Sequence, residues 1–124
     1  MQLERFSGNL EDADFVNLLM VDISGNIRSV SLPHTYVSEK VMKEGIGFDA
    51  SNYGYAKVSN SDMVAVPDMS TAFLEIRGDY RMLHVLCDVV STDREIFDQY
   101  PRNIVKKTKE FLKKEGIADN AKLL

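Results

Sequence analysis

One carboxylate stands out for chemistry. Asp49 lies in Gly45-Ile-Gly-Phe-Asp-Ala-Ser-Asn-Tyr-Gly54, where three glycines and small polar residues favour turns, so the acid is free to meet a ligand. An aspartate beside small residues also caps its own backbone in an Asx-turn, and this structural role competes with the chemical one. Ser51, Asn52, Tyr53 and Tyr55 supply hydrogen-bonding groups for a small polar ligand, as they also do in ligand-free loops. Elsewhere the residue types are less suggestive. Cys87, within Val85-Leu86-Cys87, has the setting of a small buried hydrophobe, not a nucleophile. His84 has no acid, base or metal partner near it in sequence, and His34 adds little. Asp22, Asp88 and Asp93 fall at strand ends, where carboxylates usually face solvent, and Ser61-Asp62 has the form of a turn or helix cap. Neither a nucleophile elbow, a P-loop nor a dinucleotide fingerprint is present.

The composition narrows the classes further. The chain has 124 residues, 44% hydrophobic and 27% charged, which suits one folded domain with its own core. Fifteen Lys and Arg against nineteen Asp and Glu leave a net charge of -4, so no basic stripe is available for nucleic acid. Its longest apolar runs, Leu18-Leu19-Met20-Val21 among them, are far short of the roughly 20 residues that cross a bilayer, and no signal-peptide pattern opens the chain. A cytoplasmic protein with no membrane partner is expected. A lone cysteine makes neither an internal disulfide nor a cysteine-rich zinc site, and no metal-ligating set is expected.

The elements that must position Asp49 follow from patterning. Residues 1–14 have no sustained period, although Leu3, Phe6 and Leu10 permit a short helix; a helix or ordered arm is expected. Phe15 to Ile23 is too apolar for a strand with one wet face, which predicts a central strand. Ser24-Gly25-Asn26 reverses it into Ile27 to Leu32, a hairpin that Pro33 ends. Val37, Val41 and Met42 then predict a helix of about ten residues, stopped by Gly45. The glycine-rich stretch from Gly45 to Gly54 is predicted to be loop. Met63–Val66, Ala72–Ile76 and Met82–Val90 are further strands, giving about five in all. Pro101 suits the first turn of a last helix, with Ile104, Val105, Phe111 and Leu112 on one stripe, lysines facing water and Gly116 beyond its end. Together these predict an α+β domain, a β-grasp-like mixed sheet packed on a helix, with a C-terminal helix. Residues 15–100 form the domain and 101–124 the helix and the start of a linker.

Several of these segments, in shared order, resemble the N-terminal β-grasp domain of glutamine synthetase. Phe15–Asp22 with Ser24-Gly25-Asn26 and Val30-Ser31-Leu32-Pro33 resembles the family's opening hairpin. Gly45-Ile46-Gly47-Phe48-Asp49-Ala50-Ser51-Asn52 is similar to its G-I-x-F-D-G-S-S loop, and Ser61-Asp62-Met63 through Pro67-Asp68 to its S-D-M-x-x-x-P-D. Cys87-Asp88-Val89 and Tyr100-Pro101-Arg102-Asn103 resemble later elements. The resemblance covers residues 15–117.

It implies a ligase that uses ATP, with Mg or Mn, to phosphorylate the side chain of glutamate, which ammonia then attacks. Ammonium is the nitrogen source. The loop aspartate matching Asp49 would bind and deprotonate ammonium in the active site of a neighbouring subunit, with Ser51 and Asn52 as substrate-binding neighbours. Three positions depart from the family: Asn52 replaces a serine, Ala50 a glycine that tolerates positive φ, and Tyr100 a helix-capping aspartate. The nucleotide, glutamate and metal sites are implied to lie in a C-terminal catalytic domain, whose start coincides with Leu124, so this chain alone is expected to hold no cofactor and to be inactive. Three alternatives stay open: a non-catalytic β-grasp binding module, a small-molecule sensor, and a domain of a related ligase for another amine.

Overall fold

The computed structural model describes residues 2–54 and 61–121. Among them are seven strands: β1 (Gln2–Arg5), β2 (Phe15–Val21), β3 (Ile27–Pro33), β4 (Ile46–Asp49), β5 (Asp62–Pro67), β6 (Phe73–Arg77) and β7 (Tyr80–Ser91). Two α-helices, α1 (Glu39–Glu44) and α2 (Pro101–Lys114), accompany them. The expected hairpin is β2–β3, in register from Phe15 opposite Pro33 to Val21 opposite Ile27.

β2 is central, as its continuous apolarity requires. It lies between β3 and β7 and pairs with β7 in parallel, from Phe15 beside Met82 to Leu19 beside Leu86. The order is β1-β6-β7-β2-β3, and the sheet is therefore mixed. The twelve-residue β7 outruns β2, and its far end pairs with β5, which in turn pairs with β4. Alternation decides which side chains go inward: Val16, Leu18 and Met20 of β2 and Leu83, Val85, Cys87 and Val89 of β7 are fully buried. Ala50, Ala65, Leu74 and Tyr100 are among the other members of this core, with Val41 and Met42 of α1 packed against it.

Four expectations are corrected. The short helix proposed for residues 1–14 is replaced by edge strand β1 on β6, followed by a single 3-10 turn at Leu10–Asp12. All four side chains of β1 are exposed, so no burial period marks it. The loop predicted from Gly45 begins with β4, where Ile46 and Phe48 turn toward the core and Gly47 and Asp49 away. The described residues hold seven strands, not about five, for these two reasons. The ten-residue helix contracts to six residues, because a separate 3-10 turn takes His34–Tyr36. Ser38 Oγ caps α1 by accepting from Val41 N at 3.2 Å, and Gly45 ends it at φ 81°.

The last helix is correct in extent but not in the role of its stripe. Ile104, Val105 and Phe111 are exposed. α2 is tied instead by polar groups: Asn103 Nδ2 donates to Val89 O and Phe97 O at 3.2 and 2.8 Å, and Arg102 bridges Asp88 and Asp68 at 2.7 and 2.5 Å. Tyr100 makes no side-chain cap. Its ring is buried, and its hydroxyl donates to Cys87 O and accepts from Val21 N where the β2–β7 ladder stops. No helix among the described residues is long and apolar enough to cross a membrane.

Candidate functional site

Asp49 is the last residue of β4, opposite Asp62 in the β4–β5 ladder, and its side chain is exposed. The chain turns there because Asp49 Oδ1 accepts from Ser51 N at 2.9 Å and starts a 3-10 turn over Ala50–Tyr53. The Asx-turn and the accessible carboxylate therefore coexist: one oxygen is anchored while the carboxylate stays on the surface. Hydrogen bonding by the Ser51 hydroxyl, then the Ser51 N–H, then the Ser61 hydroxyl holds the Asp49 carboxyl below the usual carboxylate range. At neutral pH this group is an anion on a fixed turn.

The turn is held on both sides. Ala50 N donates to Ser61 O at 2.8 Å, and Ile23 N, at the tip of the β2–β3 hairpin, donates to Tyr53 O at 3.1 Å. Phe48 and Tyr53 pack edge to face with centroids 5.0 Å apart. Ala50 is fully buried and has ordinary backbone angles; Arg94 is the only non-glycine residue with positive φ among those described. Alanine at position 50 thus carries no backbone strain. Ser51 is half-buried and Asn52 exposed, so Asp49, Ser51 and Asn52 share one turn. Tyr55 lies outside the described residues.

Other sequence candidates resolve into structural roles. Cys87 is fully buried, and burial pushes its thiol up to about 12. Asp22, expected to face solvent, is buried at 4% exposure inside the hairpin turn, and its hydrogen bonds, above all from Asn26 N–H, hold it at about 2. Asp88 is half-buried and paired with Arg102 and Lys106, whereas Asp93 is exposed as expected. Ser61 is buried and Asp62 opens β5, so neither caps a helix.

His84 does have a partner. Its Nε2 lies 2.8 Å from Glu75 Oε2, its Nδ1 3.4 Å from Asn17 Nδ2, and its ring stacks on Phe73. Registers of β6 and β2 on β7 create this row, which local sequence does not reveal. It belongs to the sheet and not to the β4 turn.

Among the described residues no group of three or more His, Cys, Asp or Glu side chains is arranged to hold a metal ion. The charge on the Asp49 turn is negative, opposite to what a triphosphate needs. The Asp49 turn by itself therefore does not fit a triphosphate. The turn can do something narrower: offer a fixed carboxylate to a small cation, with Ser51 and Asn52 as flanking polar groups.

The family model described as glutamine synthetase, beta-Grasp domain, matches residues 12–92. The Escherichia coli (strain K12) glutamine synthetase is 34% identical over 113 residues, which are 90% of this chain and 24% of that protein. The 3-hydroxylaminophenol mutase of Cupriavidus pinatubonensis is 33% identical over 112 residues, 89% of this chain and 24% of that protein. In structure, Plasmodium falciparum glutamine synthetase superposes with a TM-score of 0.80 at 29% identity, over 96% of this chain and 25% of that one. The chain thus spans about a quarter of the length of these relatives.

Proposed function

The chain belongs to the glutamine synthetase family, as its N-terminal β-grasp domain, and from that premise we propose that Asp49 is the residue it contributes to catalysis. In this reading the carboxylate enters an active site completed by a neighbouring subunit or by a catalytic domain outside these 124 residues. There it binds ammonium and takes its proton. The observation that carries the reading is the exposed Asp49 carboxylate, fixed by Ser51 N on a turn braced from two sides.

The chemistry has two stages with different demands. Binding a cation needs an ionised acceptor, and the bonds from Ser51 and Ser61 favour that form. Taking a proton from ammonium needs a stronger base, since ammonium is a far weaker acid than a carboxylic acid. Covering the turn with the partner would move it in that direction, because desolvation raises a carboxyl pKa. Ser51 and Asn52 orient the cation as hydrogen-bonding neighbours. ATP, glutamate and Mg or Mn belong to the completing domain in this reading, and the isolated chain makes no glutamine.

The test joins this chain to the remaining three quarters of the Escherichia coli glutamine synthetase in place of its matching segment. The joined protein is expected to form glutamine from ATP, glutamate and ammonium, and Asp49→Asn to remove most of that turnover. The unjoined chain is expected to form none. Equal turnover with Asp49→Ala would instead favour a non-catalytic binding module.

A second reading rests on the mutase, which is as similar to this chain as the glutamine synthetase is. Similar segments occur in proteins of different stated activity, and in this second reading Asp49 meets an amine other than ammonium. Replacing ammonium by other amines in the same assay separates the two.

A further inference from the structure

We infer that Asp22 is the positioning residue for the Asp49 turn: buried in the neighbouring hairpin, it locks the hairpin tip that holds the turn in place. This rests on the reading of Asp49 given above and deepens it.

The geometry is a short chain of contacts. Asp22 Oδ1 accepts from Ser24 N at 3.0 Å, from Asn26 N at 2.8 Å and from Asn26 Nδ2 at 3.3 Å. Its Oδ2 accepts from Asn26 Nδ2 at 3.1 Å and from Arg28 Nε at 3.0 Å. The backbone closes the same turn, with Asp22 N donating to Asn26 O and Gly25 N to Asp22 O. Two loop amides, one side-chain amide and one guanidinium thus converge on a carboxylate that is almost wholly buried. Such a hub fixes the residue that follows it, Ile23.

Ile23 is where the hairpin meets the candidate site. Its N–H donates to Tyr53 O in the 3-10 turn that Asp49 begins. Its side chain fills the space over Gly54, where an added Cβ would stand 2.5 Å from Ile23 Cγ2. Gly54 N in turn donates to Ser51 O, and Ser51 N donates to Asp49. The other brace, Ala50 N to Ser61 O, holds the start of the turn, while the bond from Ile23 N reaches its far end beside the packing of Tyr53 on Phe48. Loss of the Asp22 hub therefore loosens the Ile23 bond to the far end of the turn.

The experiment uses the 124-residue chain, with Asp side-chain carboxyls followed by NMR during titration and amide exchange measured at neutral pH. In Asp22→Ala the Asp49 midpoint is expected to rise toward its ordinary 3.8, because Ser51 no longer holds it low. Exchange at Ser51 and Gly54 should quicken by about tenfold or more. Asp22→Asn keeps one acceptor oxygen and is expected to fall between wild type and alanine, which covers the case that the alanine variant fails to fold. Asp62, the ladder partner of Asp49, is the nearby acid whose own titration must be followed in parallel. A folded Asp22 variant that melts earlier yet leaves the Asp49 midpoint and the Ser51 exchange unchanged would show a merely structural role and overturn the inference. Neither readout involves turnover, so failure here is separate from failure of the proposed role of Asp49.

Discussion

Replacing Tyr100 by phenylalanine removes one oxygen from the core and leaves the ring. That oxygen donates to Cys87 O at 2.9 Å and accepts from Val21 N at 3.3 Å, and the residue is fully buried. Burial raises its pKa, so it stays a protonated donor. Both backbone groups lie just past Leu19–Leu86, the last pair of the parallel ladder. Stranding a buried carbonyl costs about 1–3 kcal/mol, and the longer amide bond adds less. A loss of about 2 kcal/mol is therefore expected. At the usual unfolding entropy per residue, a chain of 124 residues loses about 4 °C in Tm per kcal/mol, so Tyr100→Phe should melt about 8 °C below wild type. Urea unfolding should show a lower midpoint with an unchanged slope, because the exposed surface hardly changes. A decrease below about 2 °C would refute the reasoning, since the hydroxyl would not then be completing the ladder.

Acid should destabilise the fold through two anchored carboxylates. Asp22 and Asp68 are lowered from the ordinary 3.8 to about 2, by Asn26 N–H foremost for Asp22 and by the Ser70 hydroxyl and Arg102 for Asp68. Folding favours their ionised forms, so their contribution is complete above the ordinary carboxyl range and is lost as pH falls from about 4 toward 2. Urea midpoints measured across that interval should decline, and a flat profile would contradict the assignment. Cys87 should resist thiol reagents at pH 8 in the folded chain and react on addition of denaturant, because its thiol is buried and held at about 12. Equal rates in buffer and in urea would contradict its burial.

Legibility followed the kind of force that fixes each segment. β2 and β7 are fixed by burial, which leaves an apolar or alternating trace in the sequence, and the hairpin is marked by its Ser-Gly-Asn turn; all lie where patterning puts them. β1 is fixed by its ladder with β6 while every side chain points to solvent, so nothing in residues 2–5 records it. β4 does carry a trace, Ile46 and Phe48 alternating with Gly47 and Asp49, but its glycines favoured a loop. α2 shows the limit of an amphipathic stripe: the pattern marks a helix correctly and says nothing about which face this domain buries. Around the site, Asp49 stands out because it sits among turn residues. Asp22 does not, because its burial comes from amides and a guanidinium two to six residues later, a convergence visible only in three dimensions. His84 escaped for a similar reason, its acid arriving from β6 through strand register.

The most direct test of the proposed function is the ammonium dependence of turnover in the protein made by joining this chain to the remainder of the Escherichia coli glutamine synthetase. An acid that binds the cation and accepts its proton supplies roughly 10²–10⁴-fold in rate. Asp49→Asn keeps the bond from Ser51 N and removes the charge, so kcat/KM for ammonium should fall by about that factor while assembly and Tm hold. A value within about threefold of wild type would remove Asp49 from the reaction.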